Sequence, residues 1–262
     1  MVEIDRKDTE PKPRSIRVGI LGTIGAGKST LASMLGERWG VAPVTEIFGE
    51  NPYLKLFYEN PAAYSFLSQV WFLEKKVKQL SSINTETAQI VDPALEMDSI
   101  YAMAHHRSGW MTDTEWALYK QLFRTLLSKN EKSPISSDFY IIVKASPEVI
   151  QRRIASRGRE FERRIDAGYT TLLAECIDEW RQTVGNAPTI DVDLGYYDLV
   201  ENRNDGREQV LGRIEGTLGL FLSRDPRSIA GERIIGPSFP LRASGVDISP
   251  ALSAEERMLR RR

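Results

Sequence analysis

The run Gly22-Thr23-Ile24-Gly25-Ala26-Gly27-Lys28-Ser29 constrains this chain more than any other stretch, because it fits G-x-x-x-x-G-K-[ST] at every fixed position. Glycines let the backbone fold back so that several N–H groups point at phosphate oxygens. Lys28 supplies a point charge for the β- and γ-phosphates, and the Ser29 hydroxyl is a magnesium ligand. The flanks suit the motif. Ile16 to Leu21 reads as a buried strand, and Ser29 to Leu35 as an amphipathic helix whose N-terminus faces the anion. The phosphate cradle is therefore expected at Gly22, Thr23, Ile24, Gly25, Ala26, Gly27, Lys28, Ser29 and Thr30.

Strands and helices alternate after this loop. Ala42–Ile47, Ala88–Asp92, Phe139–Val143 and Thr189–Val192 read as further strands. Helices are expected at about 62–81, 95–107, 113–128, 147–162, 166–184 and 207–218, with a shorter one ending at Tyr58. Thr112 and Glu115 form a capping box, and Ser146-Pro147 opens a helix with proline at its first position. Such alternation implies a three-layer α/β sandwich of the P-loop NTPase type, with a five-stranded parallel sheet flanked by helices and a helical lid. The expected organisation is a disordered lead-in at 1–14, a domain at 15–218, and a partly ordered, proline-rich extension at 219–262.

Composition narrows the function classes. A formal net charge of −1 over 262 residues argues against a general nucleic-acid or membrane-surface role. No apolar run is long enough to span a bilayer, and the N-terminus is charged, so a cytoplasmic location is expected. One cysteine, Cys176, leaves no intrachain disulfide. His105 and His106 point in different directions on a helix and are given no role.

Two features suggest chemistry beyond phosphate binding. Asp92 ends a buried strand near the phosphate loop, where a magnesium-side acid is usual; a strand-end capping role is the alternative. Arg153, Arg157 and Arg159 crowd one segment beside Gly158. Like charges this close repel unless an anion sits among them, and lid cations of this kind contribute about 10³–10⁵ in rate in phosphoryl transfer. The alternative is a solvated basic face paired with Glu160 and Glu162. Gln69 and Lys76 share a helix face, and spacing alone reads that face as a solvated edge.

Taken with Glu46, Asn51-Pro52-Tyr53-Leu54, Phe57-Tyr58, Gln69, Asp92, Asp98 and Arg157-Gly158-Arg159-Glu160-Phe161-Glu162, the chain resembles the deoxyribonucleoside kinases, in their bacterial deoxyadenosine/deoxyguanosine kinase branch. The resemblance covers about 16–218. It implies ATP- and Mg²⁺-dependent transfer to a nucleoside 5′-hydroxyl and a homodimer through the helices at 62–80 and 113–128. It also implies Glu46 as general base, Tyr58 and Glu162 on the sugar 3′-hydroxyl, Gln69 and Asp98 around the base, Ser29 and Asp92 near the metal, and the three arginines in the lid. Two positions depart from the pattern. Pro93 stands where the family has an arginine that steadies the general base, and Lys76 where it has a base-reading arginine. Proline offers no cation, and lysine loses the planar fork. Another cation, such as Lys75, is a candidate to position the hydroxyl. Two other outcomes are consistent with these departures: a kinase-like binding or assembly subunit without catalysis, or a kinase for a nucleoside monophosphate or other small hydroxyl compound.

Overall fold

Strand β1 (Arg17–Gly22) is buried at every position, which requires cover on both faces of the sheet. The structure is a computed structural model and describes residues 15–83, 87–129, 135–159, 162, 165–183, 188–195 and 205–224. The lead-in at 1–14, Glu160 and Phe161 of the arginine segment, and the extension beyond 224 lie outside the described residues.

Five parallel strands run in the order β2-β3-β1-β4-β5, with β2 Val44–Thr45, β3 Gln89–Asp92, β4 Phe139–Lys144 and β5 Thr189–Asp193. Side chains alternate along β4 and β1. Val18, Ile20 and Ile141 pack with Leu31 and Leu35 of α1 (Lys28–Trp39) and with Leu211 and Ile214 of α8 (Asp205–Arg224). Leu21, Tyr140 and Ile142 pack with Met97 and Ile100 of α4 (Glu96–Arg107) and with Leu173 and Ile177 of α7 (Ala167–Thr183). The result is the expected α/β sandwich. A third cluster joins Leu73 and Val77 of α3 (Pro61–Ser82), Ala102 of α4 and Tyr119 of α5 (Asp113–Lys129).

Local chemistry sets the ends of these elements. Asn60 accepts a bond from Ala63 N at 3.3 Å and precedes Pro61, so α3 starts there rather than continuing α2 (Leu54–Glu59). Thr112 and Glu115 exchange capping-box bonds at 2.8 and 3.3 Å at the start of α5. Some bounds differ from expectation. The strand expected over 42–47 pairs only at Val44–Thr45, because Pro43 lacks a donor and the chain then turns into a 3₁₀ turn (Phe48–Glu50). Helix α6 (Pro147–Arg157) stops before the 162 expected, at Gly158 with φ 67°. The closing helix extends to Arg224, six residues into the expected tail. Among the described residues, no helix is long and apolar enough to cross a membrane.

One position in β1 admits no side chain. A Cβ at Gly19 would lie 2.8 Å from Ala94 Cβ and 2.4 Å from Ser137 Oγ. Gly19→Ala is expected to destabilise the fold by about 1–3 kcal/mol, read as a fall of several degrees in the thermal unfolding midpoint.

Candidate active site

The sheet order places β1 between β3 and β4, so the loops after β1, β3 and β2 leave from one edge. They open onto a cavity of about 750 Å³. At one end lies the phosphate loop. Gly25 and Gly27 have φ of 79° and 107°, values that a side chain resists. A Cβ at Gly25 would also press on Ile150 and Ile154 of α6 at 3.1 and 3.0 Å. Lys28 Nζ donates to the Gly22 and Thr23 carbonyls at 2.8 and 2.9 Å. Burial lowers the Lys28 pKa, opposed by the charges of Asp92 and Glu46.

The three arginines divide. Arg153 donates to Ala26 O at 3.0 Å and to Leu194 O at 2.8 Å, tying α6 to the phosphate loop and to the chain after β5. Arg157 and Arg159 converge on the buried Glu162 at 3.2 and 3.0 Å. Glu162 is thus the anion that lets two of the like charges coexist. The Arg159 guanidinium also lies 4.1 Å from the centre of the Phe48 ring.

The acids border the same cavity. The Glu46 N–H donates to Asp92 O at 3.1 Å, which extends the β2–β3 pairing by one bond. The Asp92–Pro93 peptide bond is cis. Asp92 Oδ1, Gln69 Oε1 and Asp98 Oδ2 are buried without a hydrogen-bond partner among the described residues. Unpaired buried polar atoms are costly, so three acceptors at a cavity wall point to a ligand that completes them. Burial raises the Asp98 carboxyl well above the usual carboxylate range, with Lys76 pulling the other way. Burial, and then the Glu162 charge, push the Tyr58 phenol up.

The family model for deoxynucleoside kinase matches residues 18–218. The chain belongs to the deoxynucleoside kinase family. It is 30% identical over 203 residues to a deoxyguanosine kinase of Lactobacillus johnsonii, covering 75% of this chain and 90% of that protein. A Bacillus subtilis deoxyguanosine kinase is 31% identical over 192 residues, covering 72% and 91%. The structure of a deoxyadenosine kinase from M. mycoides with bound dCTP superposes with a TM-score of 0.66 at 26% identity, covering 77% of this chain and all of that one. The protein is a deoxynucleoside kinase-like phosphotransferase.

Most residues expected at the site border this one cavity: Gly25, Gly27, Lys28, Ser29 and Thr30 of the phosphate loop and α1, the side chains Glu46, Tyr58, Gln69, Asp92, Asp98 and Glu162, and Arg153, Arg157 and Arg159. Ile24 borders it too, while Gly22, Thr23 and Ala26 stand behind, their carbonyls holding Lys28 and Arg153. Two expectations are corrected. The Gln69–Lys76 face is buried rather than solvated, because α3 packs that face inward. Lys76 is 2% exposed and is not among the residues bordering the cavity, so its ammonium is not presented to a base there. Nor does Lys75 reach the site; it lies 3.3 Å from Glu74 and over the Trp71 ring.

An aromatic wall escaped the sequence reading. Phe57, His105, Trp110 and Tyr169 come from four separate segments and border the same cavity. His105 stacks on Phe57 with centroids 4.7 Å apart. Its Nδ1 shares a hydrogen bond with Ser65 Oγ at 2.8 Å, and its Nε2 one with Tyr169 Oη at 3.0 Å. His106 points away, to Asp113 at 2.8 Å. No local pattern marks these partners, since the contacts are made only by tertiary packing.

Burial lowers the His105 pKa from 6.5 to about 3. The unfolded chain therefore takes up a proton below pH 6.5 that the folded site refuses, and His105 costs stability as pH falls through that window. In urea unfolding, wild type is expected to lose more stability between pH 7 and pH 4 than His105→Gln does, by about 3 kcal/mol.

Proposed function

We propose that this enzyme transfers the γ-phosphoryl group of ATP, in the presence of Mg²⁺, to the 5′-hydroxyl of a deoxynucleoside, with a purine as the favoured base. The observation that carries this reading is that Glu46 and Asp92 border one cavity with Lys28 and the phosphate loop, close enough for their charges to act on Lys28. Support for a purine comes from the deoxyguanosine kinases among its relatives.

The cradle suits a polyphosphate, since Gly25 and Gly27 adopt positive φ, where a Cβ would press on Ile150, Ile154 and Leu194, and the loop leads into the N-terminus of α1. Among the described residues, no group of three or more His, Cys, Asp or Glu could hold a metal alone. A divalent ion therefore depends on oxygens of the nucleotide, with Ser29 and the unpartnered Asp92 Oδ1 as the protein's contribution. When bound, nucleotide and metal supply the transferable phosphoryl group and spread its charge. Glu46 takes the proton of the attacking hydroxyl. Tyr58 and Glu162 hold the sugar, and Gln69 and Asp98 accept from the base edge. Lys28, Arg157 and Arg159 face the phosphoryl group as its charge develops. Arg153 contributes through the loop that it braces.

Lysine at position 76 lies beside Glu46, which favours this reading over a subunit that has lost catalysis. We also infer a homodimer through α3 and α5, where Leu67 and Leu118 are 41% and 47% exposed, and a cytoplasmic location. Leu118→Asp is expected to shift the sedimentation coefficient to that of a monomer.

Radiolabelled phosphate transfer across a panel of deoxynucleosides and ribonucleosides tests the central reading. Glu46→Gln is expected to lower kcat by about 10²–10⁴ while nucleotide binding, read by thermal shift, persists. Wild type that binds ATP but labels no nucleoside in the panel would remove the proposal.

A further inference from the structure

Lys76 projects from α3 into the interior and donates to the Pro93 carbonyl at 3.0 Å. Its Nζ lies 3.6 Å from Glu46 Oε1. The ammonium is 2% exposed, while the Glu46 side chain is 22% exposed. Glu46, Pro93 and Asp98 border the cavity, and Lys76 stands behind them. Its charge also bears on the Asp98 carboxyl. The residue that follows Asp92 is a proline, which can bring no cation of its own to this corner. Among the described residues, Lys76 is the only cation within salt-bridge distance of Glu46.

A buried ammonium needs its protons satisfied and its charge matched. Here the Pro93 carbonyl accepts one hydrogen bond, and two carboxyl groups stand nearby. One of them is the carboxylate facing the phosphate loop. A charge pair made on one oxygen restricts the rotation of the whole carboxyl group. It leaves the second oxygen for the cavity.

We propose that Lys76 is the positioning residue for Glu46: from behind the wall it holds Oε1, turns Oε2 toward the acceptor hydroxyl, and through the Pro93 carbonyl fixes the turn that carries Asp92. This rests on the kinase reading above. The lysine touches neither nucleoside nor nucleotide. It contributes to the rate of transfer and not to the choice of base. It also supplies, from α3, the cation that Pro93 cannot.

The test compares wild type, Lys76→Met, Lys76→Arg, Glu46→Gln and the double variant Glu46→Gln/Lys76→Met. The assay is phosphate transfer from ATP to the best nucleoside in the panel. Lys76→Met is expected to lower kcat on the order of 10- to 100-fold, as loss of an outer-shell partner does. KM for the nucleoside and the rank order of bases should stay as in wild type. Lys76→Arg, which keeps the charge, should recover part of kcat, and the double variant should be no slower than Glu46→Gln alone. An unchanged kcat in Lys76→Met, or a changed rank order of bases with kcat held, would overturn the proposal.

Urea unfolding of wild type, Lys76→Met, Glu46→Gln and the double variant gives a readout that needs no substrate. If the pair exists, the double variant loses less stability than the sum of the two single losses. Additive losses would overturn the pairing whether or not any nucleoside is phosphorylated. Absence of transfer by wild type would instead remove the kinase reading, leaving the unfolding cycle to judge the pair.

Discussion

Burial of β1 between β3 and β4 is the constraint on which the catalytic edge depends. A parallel strand with both faces covered must end in a loop at the sheet's rim, and there the chain meets Asp92 at the end of β3 and Glu46 just after β2. Thr45 pairs with Asp92, and the bond from Glu46 N to Asp92 O carries the pairing one residue further. The gathering of acids and phosphate loop at one rim is thus a product of strand order. Lower in β1, Gly19 is held tightly between Ala94 and Ser137.

Charge organisation follows from that edge. Lys28, Glu46, Asp92, Asp98, Arg153, Arg157, Arg159 and Glu162 are among the ionisable side chains that border a single cavity. In such a space cations and anions must be interleaved, and they are. Glu162 separates Arg157 from Arg159, and Lys76 backs Glu46. What remains unmatched consists of acceptors, at Asp92, Gln69 and Asp98. A pocket that keeps acceptors in reserve is one whose partner brings donors or a cation.

Sequence made the donor side legible because its determinants are local. Glycines at fixed spacing, a lysine and a capping helix are contiguous, and the strand before them is a continuous apolar run. The α/β alternation was readable for the same reason, and so were the helix starts at Thr112 and Ser146. Helix ends were missed where one glycine decided them, as at Gly158. The acceptor side was legible only in part. Helical spacing suggested a wet face for Gln69 and Lys76, since it cannot show which neighbour will cover that face. The ring stack of Phe57, His105 and Trp110 has no sequence signature, because a turn after α4 folds Trp110 back onto the helix.

The two bonds made by Arg153 bear on how the site can move. Its guanidinium grips Ala26 O and Leu194 O at once, joining the phosphate loop, α6 and the chain beyond β5 into one mechanical unit. A rigid swing of α6 would have to break both bonds or drag the phosphate loop along. Gly158, with φ 67°, lies just past that anchor. Arg159 and Glu162 lie beyond it, outside the unit that Arg153 braces, and the bond from Arg157 to Glu162 links them back to α6.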